Sequence, residues 1–229
     1  MSRMPADRRN VDRGRRLDLV AIEYSLRAVQ ADFERINNTL SVAREPLTDQ
    51  VIDHLMLGYR RVDALVAARR NPFALGSSPE LLELNLLTLC GSDDRTREGC
   101  QRLRSATEAH YYDTGENGIA ALAARMRSMQ GESVWRRAAM AYMFILSQPQ
   151  LFLEGNHRTG CLVMSWMLAR EGEAPFVLSV ENARAYFDPS TLVKHTRKHT
   201  LKMMVEKPLL VKRLGQLLRS EADTVHMGG

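Results

Sequence analysis

The stretch Pro149-Gln150-Leu151-Phe152-Leu153-Glu154-Gly155-Asn156-His157-Arg158-Thr159-Gly160-Cys161 decides how this chain is read. Before it, Val134, Trp135, Ala138, Ala139, Tyr142, Met143 and Leu146 recur at helical spacing, and Pro149 stops that helix. After it, Leu162, Val163, Trp166 and Met167 resume the spacing until Gly172. The turn therefore opens a helix, where several backbone N–H groups lack intrahelical partners and the dipole adds about half a positive charge. Gly155 lets the backbone come close to a ligand. Asn156 donates and accepts hydrogen bonds, and Arg158 carries a planar fork matched to phosphate. Glu154 stands where a carboxylate holds a magnesium ion that bridges phosphates. The segment predicts an anion cradle suited to a nucleotide phosphate, although a Gly-Asn turn that merely caps a helix has the same residues.

Working outward, helical periodicity dominates. Leu19, Ile22, Leu26, Val29, Phe33, Ile36 and Leu40 form the seam of a long amphipathic helix, packed in the core or against a second copy of the chain. Thr48 starts a helix whose apolar set runs Val51, Ile52, Leu55, Tyr59, Val62, Leu65, Val66, and Asn71-Pro72 ends it. Ser78-Pro79 opens another, rich in leucine from Leu81 to Leu89 and ended by Gly91. His110-Tyr111-Tyr112 leads into the turn-rich Asp113–Gly118, which suits a loop or a short hairpin. Phe176-Val177-Leu178 reads as extended, and Pro189-Ser190 introduces a last, basic helical region. The predicted fold is mainly α.

Composition bounds the function. The chain has 229 residues, enough for one domain with extensions. It has no apolar run of the roughly 18 residues that span a bilayer and no signal-like start, so a cytoplasmic protein without a membrane partner is expected. Three cysteines, none at C-x-x-C spacing, read as inert thiols of a reducing compartment. The net charge of +5 is uneven: residues 1–16 carry six Arg and two Asp, and 193–213 carry seven Lys or Arg and one Glu. Such segments are solvated tails or contacts for nucleic acid. The chain divides into a basic arm (1–16), a helical domain (17–192, core about 40–172) and a basic C-terminal helical region with its tail (193–229).

The central stretch resembles the signature of the Fic/Doc (Fido) family, H-P-F-x-[D/E]-G-N-G-R-x-x-R, with Phe152, Glu154, Gly155, Asn156 and Arg158 matching. Helices before and after it, and the Thr48 and Ser78 helices upstream, are laid out like the family's core. The resemblance implies a Fic-like helical bundle with a short β-hairpin flap, the flap falling at 110–118. It also implies transfer of AMP or another phosphate-containing group from a nucleotide such as ATP to a hydroxyl of a target protein. In those terms Glu154 would hold Mg2+, Gly155, Asn156, His157 and Arg158 would bind phosphates, and Phe152 would anchor the loop. Ser41-Val42-Ala43-Arg44-Glu45 resembles the family's inhibitory helix pattern, which makes Ser41 and Glu45 regulatory candidates.

Three departures weigh against the usual reaction. Gln150 occupies the place of the catalytic histidine, and a carboxamide has no useful basicity near neutral pH. Cys161 replaces the second arginine and His157 the loop glycine. His157 reads as a phosphate contact, a structural group or a substitute base, with His110 a further candidate for that last role. Two functions follow: a nucleotide-binding transferase of altered or lost activity, or a non-catalytic interaction protein on the same fold.

Overall fold

The computed structural model describes residues 16–194, 201–220 and 223–228. Of the basic arm (1–16) and the basic C-terminal region (193–229), residues 1–15, 195–200, 221–222 and 229 lie outside the described residues. The described chain is mainly helical: α1 (Leu19–Ala31), α2 (Phe33–Asn37), α3 (Asp49–Ala67), α4 (Pro79–Cys90), α5 (Asp94–Gly99), α6 (Gln101–Tyr111), α7 (Ile119–Ser128), α8 (Val134–Leu146), α9 (Asn156–Glu171), α10 (Ala183–Lys194) and α11 (Leu201–Ser220). Two short strands, β1 (Arg16–Leu17) and β2 (Met227–Gly228), pair antiparallel with Arg16 opposite Gly228 and Leu17 opposite Met227. Among the described residues no helix is long and apolar enough to cross a membrane.

The helix ends follow the local chemistry. The Asp18 side chain accepts from the amides of Val20 and Ala21, and Thr48 accepts from Val51, so each fills donors that a helix start leaves open. Pro79 sits in the first turn of α4, and Gly91 (φ 66°) and Gly172 (φ 89°) end α4 and α9. The long seam divides at Asp32 into α1 and α2, and its Ile22, Leu26, Val29, Phe33 and Ile36 are buried within the domain.

Helix α9 is the axis of the molecule. Leu162 through Ala169 are all buried, the pattern of a helix enclosed on every side. Helix α8 lies along it where Gly160 faces the Tyr142 ring, and α3 crosses it where Gly58 faces Leu162, both too close for a β-carbon. The Tyr59 and Ser165 hydroxyls both donate to the Phe176 carbonyl, at 3.0 and 2.6 Å. They hold residues 174–178, which belong to no helix or strand, against the core. Helix α11 packs on α8, and its Leu210, Val211, Leu214 and Leu218 join the same core.

Three expectations change. The stretch 110–118 holds no strand: α6 runs through Tyr111, and turns follow, with the Gly115 amide on the Asp113 carboxylate at 3.2 Å. Pro189 does not precede a helix but lies inside α10, as Pro208 does inside α11, where burial of Tyr186 and of Leu210 to Leu218 outweighs the lost backbone bond. Finally, Cys90 and Cys100 are not thiols but a disulfide. The left-handed Gly91 reverses the chain after α4, and α5 returns Cys100 to a Cα–Cα distance of 6.2 Å from Cys90, within bonding reach.

Candidate functional site

The turn before α9 is braced from within. Phe152 is buried and stacks on Tyr111 with ring centroids 5.4 Å apart, so the loop is anchored in the core as the sequence suggested. The buried Asn156 side chain accepts from the Phe152 amide (3.0 Å) and donates to the Phe152 carbonyl (2.8 Å) and to Gln150 Oε1 (3.2 Å). Its polar atoms are therefore engaged in shaping the loop. Gly155 takes φ 73°, a left-handed conformation disfavoured for residues with a β-carbon. Among the described residues the amides of Gly155, Asn156 and Arg158 have no acceptor, Gly155 as the cap and the other two in the first turn of a 16-residue helix.

Helix α4 supports this turn from below. Asn85 Nδ2 donates to the Glu154 carbonyl at 2.9 Å and to Thr159 Oγ1 at 3.0 Å. Arg158 Nη1 donates to the Thr88 carbonyl at 2.7 Å, leaving the rest of its fork. Asn85 and Thr88 escaped the sequence reading, yet both are polar residues in an otherwise leucine-rich helix, which was the available signal. Burial lowers the Arg158 pKa, while Glu154 and Glu45 act in the opposite sense. Glu45 thus belongs to the electrostatic surroundings of the loop. Ser41 does not join it: its amide bonds to Asp188 of α10 at 3.0 Å, and residues 41–48 are not helical.

The three departures from the Fic pattern occupy defined places. Gln150 donates to the Leu146 carbonyl (3.3 Å) and accepts from Asn156, so it works as a structural amide. His157 turns away from the loop mouth, with Nδ1 3.0 Å from the Tyr142 hydroxyl. That hydroxyl donates to Tyr186 at 2.7 Å, and the Tyr186 hydroxyl lies 2.7 Å from Cys161 Sγ. His157 and Cys161 are thus two ends of one polar chain beneath the loop. Desolvation pushes the Cys161 thiol up to about 12, and both tyrosines well above their ordinary value. None of these groups is a ready nucleophile.

His110 comes to the Gln150 position from α6. Its Nε2 lies 2.7 Å from the Gln150 backbone carbonyl. A carbonyl only accepts, so Nε2 carries a proton and donates to it. Glu154 is exposed at the mouth. Among the described residues no three His, Cys, Asp or Glu side chains gather as a metal cluster. A magnesium ion at Glu154 would thus take its other ligands from phosphate oxygens and water, which is how this ion commonly binds beside a single carboxylate. Comparison with protein-family models, with curated proteins and with solved structures found no match to this chain.

Proposed function

We propose that the chain binds a phosphate-bearing nucleotide at the start of α9, in the manner of a Fic-like protein. The observation that carries this reading is the set of unpartnered amides in a braced, left-handed Gly155 turn, beside the half-buried Arg158. Donors already aimed, and held by Asn156 and Asn85, lose little entropy when an anion arrives. Arg158 would supply the charged contact, and Glu154 would hold Mg2+ against the phosphates. Calorimetry with ATP and magnesium tests the reading. Arg158→Ala should weaken binding about tenfold or more, as for loss of a charged hydrogen bond. Absence of any nucleotide or pyrophosphate binding by the native chain would refute it.

Binding is better supported than catalysis, because Gln150 is engaged as a structural amide. One observation favours a second reading, transfer of AMP or a related group to a protein hydroxyl. His110 brings an imidazole to the position from which the histidine is missing, with Nε2 on the Gln150 carbonyl. Labelled ATP, magnesium and lysate should then give label that disappears in His110→Ala and in Glu154→Ala. If labelling is absent in the native chain and appears only in Gln150→His, the chain is a binding protein.

A further inference from the structure

At the far end of α9, away from the loop, lies a cavity of about 360 Å³ between α7, α8 and the Asn71–Phe73 segment. Asn156 to Arg170 spans about 20 Å along the helix at the standard rise, so the two places do not share residues. The floor is apolar and aromatic: Phe73 meets Trp166 edge-on with centroids 5.7 Å apart, beside Met126 and Met167. Arginines set the charge of the rim. Arg127, Arg137 and Arg170 line it against the one carboxylate of Glu171, which pairs with Arg137. Arg170 lies over the Trp166 ring at 5.3 Å, whereas Arg127 is exposed and its guanidinium has no ion pair or hydrogen bond among the described residues. Two wall residues also carry buried donors without an acceptor among the described residues: Trp166 Nε1 and Arg137 Nε. Native proteins rarely leave such donors unmet.

We propose that this cavity is a ligand site for a small planar acid, an apolar ring bearing a carboxylate or a phosphate. The volume lies at the lower end of the roughly 300–1,000 Å³ common for small-molecule sites. A flat ring fits the Phe73–Trp166 wall, and its acid meets the surplus positive rim led by Arg127. Aromatic carboxylates and mononucleotides share this chemistry, and the assay separates them.

The chain has two tryptophans, so Trp135→Phe leaves Trp166 as the sole indole reporter. Titration of that variant with benzoate and with AMP should give a saturable emission change for at least one. Response to benzoate alone assigns a carboxylate site, and to AMP alone a nucleotide site. Benzamide and adenosine should bind at least tenfold more weakly than their acids, and inorganic phosphate should not compete at equal concentration. Arg127→Ala should raise the dissociation constant five- to tenfold, whereas Arg158→Ala should leave it unchanged. Calorimetry on the native chain repeats the measurement should Trp135→Phe prove unstable. The proposal is overturned if neither acid binds at 10 mM, if the neutral compounds or phosphate bind equally well, if Arg127→Ala has no effect, or if Arg158→Ala abolishes the signal.

Discussion

Replacing Gly155 by alanine isolates what the turn before α9 demands of its backbone. At φ 73° a β-carbon costs about 1–2 kcal/mol from conformation alone. The new carbon would also stand 3.0 Å from Asn85 Nδ2 and 3.1 Å from the Leu89 side chain, closer than ordinary contacts. Asn85 cannot simply withdraw, because the same nitrogen holds the Glu154 carbonyl and Thr159. Each of those bonds is worth about 1 kcal/mol. Gly155→Ala should therefore lose about 2–4 kcal/mol. Gly76 provides the control: its φ is 79°, but a β-carbon there meets nothing within 4 Å. Gly76→Ala should thus lose only the conformational part, about 1–2 kcal/mol. Urea denaturation monitored by circular dichroism measures both, with equal m-values required for comparison. If Gly155→Ala is no more destabilised than Gly76→Ala, the clamp of α4 on the loop is not as described.

Three further outcomes follow from other parts of the fold. Gly160→Ala places a carbon 2.6 Å from the Tyr142 ring, so overpacking of about 1–3 kcal/mol should outweigh the helix gain of about 1 kcal/mol, a net loss that denaturant midpoints will register. The Cys161 thiol, pushed up to about 12 by desolvation, should react with maleimide at neutral pH about 100-fold or more slowly in the native chain than in urea, and equal rates would contradict that desolvation. His226 has its pKa lowered, chiefly by burial, so the unfolded chain binds the proton more readily. Stability should therefore be intact above about pH 6.5 and fall as the pH drops below it, with a smaller fall in His226→Gln by thermal melting.

What the sequence made legible was mostly local. Thr48, Pro79, Gly91 and Gly172 mark helix ends because their signals act within one turn of chain. Phe152 was readable as the loop's anchor, although its partner Tyr111 was not, since that contact joins distant helices. The same limit explains the misreadings. An odd number of cysteines hides one pair plus one free thiol, and only the path through Gly91 and α5 brings Cys90 to Cys100. Proline at 189 argues against a helix locally, but packing decides otherwise. At the candidate site the order of residues was visible while their direction was not. Asn156 and His157 both turn inward, toward Phe152 and Tyr142, and only backbone amides, Arg158 and Glu154 remain for a ligand.

The pairing of β1 with β2 has a consequence for how the molecule comes into being. Leu17 is opposite Met227, and the Asp18 amide, just ahead of α1, bonds to the His226 carbonyl at 2.9 Å. Ser25 of α1 also meets the His226 ring at 2.9 Å. A chain emerging from the ribosome makes α1 long before residues 226–228, so this seal waits until they too have emerged. Until then α1 lacks one of its walls, and residues 226–228 act as a clasp that closes over its start.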